Sequence, residues 1–363
     1  MGKRVVSGGL LAFLAACGGS VDTARTDEPL PTRVPADEQG IYQPASPGGP
    51  DRVADGLGSP SALAMTDDRV IFTTRSTMLS GESVEAGALF VADKRVGPAL
   101  MLTVDRQGAS FDALVADATT AFVATSDARL LGVPVAGGTT RTLATLDAPA
   151  IALAAFGDHV YFASSAGAVA RVAKRGGQVE PLATITGSIR GLQADDAAVY
   201  VATGAGEETG AGILRVALDG TVKSLAAGAE PCAMIRDGRS LFWTSLEMSS
   251  GSTRLASGKV LRLSLDGGAA ATVASGSFSA CAIAADKDSL YFATSFPSAL
   301  PVKAGGPGAA PTPGLGLMRA PIAGGEPVAV AQASRALTQP GAVAVDASHV
   351  YWLTETAVLR LRK

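Results

Sequence analysis

The sequence is poor in charge, in aromatics and above all in histidine. Charged residues make up 17% and aromatics 5% of its 363 residues, and His159 and His349 are its two histidines. Each stands immediately before a Val-Tyr pair. A metal or catalytic pair would have to converge, and equivalent turn positions in separated repeats do not, so both read as solvated turn residues. Lys and Arg are scattered and the net charge is −3. The chain has no basic stripe with interleaved aromatics, which excludes nucleic acid as a partner. After residue 16 no apolar run approaches the roughly 20 residues of a membrane-spanning helix. Nucleophile elbow, P-loop, Rossmann fingerprint and EF-hand loop are all missing. No cofactor, metal or catalytic residue is therefore expected.

Cysteine is scarce too, and each of the three has its own context. Lys3 and Arg4 precede a short apolar stretch that ends in Leu14-Ala15-Ala16-Cys17. The pattern reads as an export signal over residues 1–16. It resembles the lipobox of bacterial lipoproteins, which implies lipidation of Cys17, a membrane anchor through that lipid and an exported protein. Gly18 rather than Asp after the cysteine implies the outer membrane. Residues 17–51 are rich in Pro, Gly, Asp and Glu and offer little apolar material to offset ordering, so a disordered tether is expected.

What the chain does have is one strand written seven times. The copies centre on Ile71, Phe122, Tyr161, Tyr200, Phe242, Tyr291 and Tyr351. Each is a β-branched or aromatic run after a turn rich in Asp, Gly or Ser. A period near forty residues with several short strands per unit predicts an all-β fold, a seven-bladed β-propeller of four-stranded blades, over residues 52–363. Blade five shows the unit: an inner strand over 232–235, the aromatic strand over 241–245, and a hairpin of 259–265 with 271–274 around Asp266-Gly267-Gly268. The 43 glycines serve such turns. The last unit stops after three strands, and Arg52-Val53-Ala54 resembles the missing fourth. The ring is therefore expected to close by pairing an N-terminal strand with three C-terminal ones.

Tyr351-Trp352-Leu353-Thr354 and Phe242-Trp243-Thr244-Ser245 resemble the Tyr-Trp-Thr-Asp repeat of low-density-lipoprotein-receptor-type propellers. The wider unit resembles exported YWTD/NHL-like propeller lipoproteins of myxobacteria and related bacteria. This resemblance spans nearly all of the chain from residue 52 and implies fold more than function. The receptor family's closing Asp is missing, and that family has six blades.

The recurrent acids of the first turn (Asp117, Asp195, Asp286 and Asp346 among them) read as residues bonding their own turn backbone. The recurrent Arg171, Arg215, Arg262, Arg319 and Arg360 follow the repeat, and a binding site should break it, so structural pairing or solvation is expected of them. Cys232 and Cys281 occupy the same point of neighbouring blades. A disulfide is one reading in an oxidising compartment. Two buried free thiols are the other, since equivalent inner strands of adjacent blades are set against a Cα separation below about 7 Å. The segment joining the second and third strands of a unit is short in blades three and seven and long at 75–87, 204–212, 246–258 and 296–314. Blades four to six should thus raise a rim that carries Glu207, Glu208, Glu247, Met248, Arg254 and Lys303, where an envelope protein or carbohydrate partner would bind. A monomeric binding or scaffolding module is the leading functional class. The alternatives are a lyase or hydrolase using loop carboxylates, and an outer-membrane assembly factor.

Overall fold

Every aromatic run forms the second strand of a four-stranded antiparallel sheet, and seven such sheets make up the ring of a β-propeller. The computed structural model describes residues 50–363 apart from 80–81, 95–97, 206–209, 229, 249–255, 277, 296–315 and 333–341, all in one compact unit. Strands are named a to d from the inside of each blade outward. In blade three they are Ala150–Phe156, His159–Ser164, Ala168–Ala173 and Glu180–Thr184. Strand b is buried on both faces, because each blade is covered by a neighbour on either side. Its third residue faces the following blade and its fourth the preceding one. Phe242 thus packs with Phe292 and Met318 of blade six, and Trp243 with Tyr200 and Ala202 of blade four.

The ring closes as expected. Val343–Val345, His349–Leu353 and Val358–Arg362 supply strands a to c of blade seven, and Asp51–Ala54 pairs beside Val358–Arg362 as strand d. Arg360 holds Asp51 at 3.1 Å across this seam. Asp51 lies toward the a–b and c–d turns, so Pro50 and Lys363 both sit on that face of the ring.

The residue just after strand c reaches back onto the preceding blade, and the sequence fills that position in two ways. Val135, Leu218, Leu265 and Ile322 are apolar and join the packing around Ile71, Tyr161, Tyr200 and Phe242 respectively. Lys94, Lys174 and Lys363 instead lie over the rings of Tyr351, Phe122 and Tyr291, at 6.0, 5.7 and 5.6 Å from the ring centres. Their ammonium groups bridge to Asp346, Asp117 and Asp286. One oxygen of each of these acids also accepts the backbone N–H groups two and three residues on.

Burial raises the carboxyl pKa of Asp117, Asp286 and Asp346. Hydrogen bonds from the lysines and the turn backbone outweigh it and leave all three below the usual carboxylate range. A depressed folded-state pKa gives stability that is complete above the unfolded value, about 3.9, and is lost as pH falls through the folded one. Denaturant midpoints should therefore hold from pH 7 to about pH 5 and drop steadily below about pH 4. A Lys94→Met, Lys174→Met, Lys363→Met triple variant should show a shallower acid decline. An unchanged decline would remove these three bridges from the account.

Candidate functional site

Strand a lines the central channel, and most of it is small and apolar. The segments Ala62-Leu63-Ala64, Ala113-Leu114-Val115, Ala152-Leu153-Ala154 and Ala282-Ile283-Ala284 occupy equivalent places. One position breaks the pattern. In all six blades where it is described, the a–b ladder skips one residue immediately before the Ala or Gly that starts these segments. A β-bulge of this kind leaves its extra residue unpaired and re-aims the side chain. The skipped residues are Ser61, Asp112, Ile151, Arg190, Cys232 and Cys281, and none is buried. They ring the channel mouth on the face of the b–c connections. Apart from the two cysteines their chemistry differs from blade to blade, while the residues below them mostly repeat.

Two members of the ring are joined. Cys232 and Cys281 form a disulfide with Cα atoms 4.9 Å apart. The separation expected to oppose such a bond is not found. Inner strands of adjacent blades converge on the axis, and both cysteines are bulge residues at the same height. The other ring residues have polar neighbours. Ser110 Oγ donates to Asp112 at 2.6 Å. Ser61 Oγ is 2.8 Å from Thr73 Oγ1. Arg190 reaches Glu230 at 3.4 Å, beside Gly204. A Cβ on Gly204 would lie 2.4 Å from Ser188 Oγ and 3.0 Å from Glu230.

The opposite end of the channel is partly covered. Arg236 of blade five donates to the Ala194 carbonyl of blade four and lies over the Phe156 ring of blade three, 5.8 Å from its centre. Arg236 stands where blades two, three, four and six have Ala, and Phe156 where five other blades have Asp. Two departures from the repeat thus meet each other. Between the two ends, Gln193 donates to the Met234 carbonyl at 3.2 Å and ties blade four to blade five.

A second ring holds the b–c connections in place. The sixth position from the start of strand b is a buried hydroxyl in every blade: Thr74, Thr125, Ser164, Thr203, Ser245, Thr294 and Thr354. In five blades the hydroxyl hooks the start of strand c. Thr203 donates to the Gly212 carbonyl, Thr294 to that of Gly316 and Thr354 to that of Ala357, while Ser164 accepts from Ala168 N–H and Thr125 from Arg129 N–H. Thr74 and Ser245 are the two left without a partner. Theirs are the blades in which the connection is itself a β-hairpin. In blade five, strands Ser240–Met248 and Ala256–Ser264 continue as a ladder out to the Met248–Ala256 pair, so residues 246–248 and 256–258 are strand where a loop was expected. In blade one, Thr77–Leu79 pairs with Glu82–Val84. The hydroxyl hook is made in the five blades where no such hairpin ladder is described. Thr203→Val and Thr294→Val should each cost about 1–2 kcal/mol, and Ser245→Ala should be neutral or slightly stabilising. Urea unfolding of the three variants checks this contrast, and equal losses in all three would sink it.

The other sequence-derived candidates are placed as follows. Asp195, like Asp117, Asp286 and Asp346, bonds its own turn backbone and also accepts the Tyr200 hydroxyl at 2.9 Å. Burial first, then this carboxylate, raises the Tyr200 pKa to about 12. Each recurrent Arg stands opposite the aromatic of strand b, as Arg171 does with Tyr161 and Arg262 with Phe242. Arg171 pairs with Glu180 at 2.8 Å. His159 and His349 occupy equivalent turn positions of blades three and seven, tilted against Tyr161 and Tyr351. Burial, then the charge of Arg360, lowers the pKa of His349. Among the described residues no group of three or more His, Cys, Asp or Glu could hold a metal ion. Cys17, Glu207, Glu208, Arg254 and Lys303 lie outside the described residues. Glu247 and Met248 are described as strand only, without their side chains. The ring residues Asp112, Ile151 and Arg190 had been missed. Their signal was present: aligned on the small residue that follows, they share one column with the two cysteines.

No family model matches the chain, and no curated protein sequence matches it. Solved structures do. The extracellular domain of a hybrid two-component system of B. thetaiotaomicron is 11% identical, with a TM-score of 0.61 over 87% of this chain. The chain spans 40% of that protein. YCF48, solved bound to D1 peptide, is 11% identical with a TM-score of 0.57 and is covered over 98% of its length. The computationally designed Ika8 protein is 13% identical with a TM-score of 0.54. These likenesses and the seven closed blades make the chain a seven-bladed β-propeller. The particular Tyr-Trp-Thr-Asp kinship stays a resemblance of strand b.

Proposed function

We propose that this propeller is a lipid-anchored envelope protein that binds a partner on the face of its b–c connections, without catalysis. The observation that carries this reading is the bulge ring. It is the layer of the inner strands in which, among the six blades where it is described, no residue type recurs apart from the two bonded cysteines, and it opens on the face where the connections vary in length. The position of Pro50 on the other face supports the same arrangement, since an anchor behind Pro50 leaves the mouth free. The extracellular setting of one structural neighbour and the peptide held by another support export and binding. The rim of blades four to six, with Glu207, Glu208, Glu247, Met248, Arg254 and Lys303, would extend the mouth outward.

Two experiments test the proposal. Cys17→Ser should move the protein from the detergent phase to the aqueous phase of a membrane extract, and unchanged partitioning would refute the anchor. Segments 204–212, 246–258 and 296–314, shortened one at a time to the length in blade three, should reduce recovery of envelope partners by the tagged protein. If all three trimmed proteins fold and recover the same partners, the rim is not the binding surface.

A further inference from the structure

Three consecutive blades place an acid, an exposed apolar side chain and a base side by side at the mouth: Asp112, Ile151 and Arg190. Ile151 is 41% exposed, and among the described residues few large apolar side chains are as open. Its two flanking charges are exposed as well. Nothing in the ring itself accounts for this order. The inner-strand layers below are mostly apolar, Gln193 and Arg236 apart, and the bulge leaves Ile151 open to solvent.

We infer that this arc is a docking site for an extended polypeptide segment with a basic residue, an apolar residue and an acidic residue at alternate positions. The inference rests on reading the b–c face as a binding face. Charge complementarity is its first support: Asp112, which accepts from Ser110, answers the basic side chain, Arg190 answers the acidic one by exchanging its exposed pair with Glu230, and Ile151 sits between them. Spacing is the second. Alternate side chains of an extended chain point the same way about 6.5–7 Å apart. Inner strands of adjacent blades approach within 8 Å between Cα atoms, so ring residues of neighbouring blades fall within reach of alternate side chains of one extended segment. Strand a is also the free inner edge of each blade, and the skipped residue leaves backbone groups there without a ladder partner. A peptide lying across the mouth could use them. A pair of opposite charges flanking one apolar contact gives orientation and selectivity more than affinity, so weak, selective binding is expected.

The test uses fluorescent acetylated peptides and the full chain in detergent. The probes are Lys-Thr-Leu-Thr-Glu, Glu-Thr-Leu-Thr-Lys, Lys-Thr-Leu-Thr-Lys and Glu-Thr-Leu-Thr-Glu, with binding read by anisotropy. At least one of the two mixed-charge peptides should bind about tenfold or more tightly than either like-charged one. Single changes should switch the preference. Asp112→Arg should favour the doubly acidic peptide and Arg190→Asp the doubly basic one. Ile151→Ser should weaken mixed-charge binding with no change of preference. Circular dichroism of the variants should match the parent, because all three side chains are exposed. If no peptide binds, or the variants keep the parent's preference, the inference is overturned. Recovery of envelope partners by all three variants at the parent's level would also overturn it and leave the rim proposal standing.

Discussion

A chain that begins at Leu57 is expected to lose its fold, although it lacks only the first strand of the domain. Asp51–Ala54 is the fourth strand of the last blade, hydrogen-bonded to Val358–Arg362, and it leads directly into blade one. Its removal exposes the whole outer edge of Val358–Arg362, an invitation to pairing between molecules. Val53, 4% exposed, would take about 1.5–3 kcal/mol of burial with it. Arg360, which also donates to the Lys94 carbonyl of blade one, would lose Asp51 from a nearly enclosed guanidinium. That adds about 1–3 kcal/mol, the range for a charged group left without its partner. Together these losses, before the broken ladder hydrogen bonds are counted, reach the lower end of the total stability of an ordinary domain, about 5–15 kcal/mol. Gel filtration should show aggregate, and thermal melting should show a much earlier or absent transition. A synthetic peptide that copies residues 49–57, added in excess, should restore part of the cooperative melt by mass action. A truncated chain that melts like its parent would show that the seam does not hold the ring. A milder version, Val53→Asp in the full chain, should fall between the two.

The architecture was open to reading because it is written seven times. A strand buried on both faces has no alternation to disguise it, so Val160-Tyr161-Phe162-Ala163-Ser164 stands out wherever it recurs. The missing fourth strand was likewise legible, since a strand count that stops at three needs a partner from elsewhere. The site was much less so. A β-bulge leaves no composition signal, only an extra residue in a register that becomes visible when two strands are laid side by side. Asp112, Ile151 and Arg190 are unremarkable in the sequence for that reason, and they gain meaning as the skipped residues of three neighbouring ladders. The 246–258 segment was misread for a related reason. Leu246, Glu247 and Met248 continue strand b without a break, and length alone does not separate a loop from a ladder that runs past the blade. The alternation of Lys and apolar residues after strand c was in plain view at Lys94, Val135, Lys174 and Leu218. Its meaning needed the preceding blade: the same place is filled either by an apolar side chain or by an ammonium over a ring with an acid beyond it.

Loss of the Cys232–Cys281 bond is expected to cost about 2–4 kcal/mol, the second large effect in the molecule. The bridge closes a loop of 49 residues, which holds the whole of blade five between its ends. In the chain-entropy account a loop of that size restricts the unfolded chain by roughly 4 kcal/mol at 25 °C. The native side should oppose little of this, since the Cα separation lies within the normal range for a bridge. The bond also fixes the mouth where blades five and six meet, next to the projecting hairpin of blade five. The Cys232→Ala, Cys281→Ala double variant should therefore unfold at lower urea, with a somewhat steeper slope because its unfolded chain is no longer looped. Dithiothreitol should shift the parent toward the variant and leave the variant where it is. Cys281 is exposed and Cys232 half-buried, so reduction should proceed without prior unfolding. Thiol titration of the denatured, unreduced chain should find neither cysteine free. Two titratable thiols, or a double variant as stable as its parent, would mean that the ring is held by blade packing and the closing strand alone.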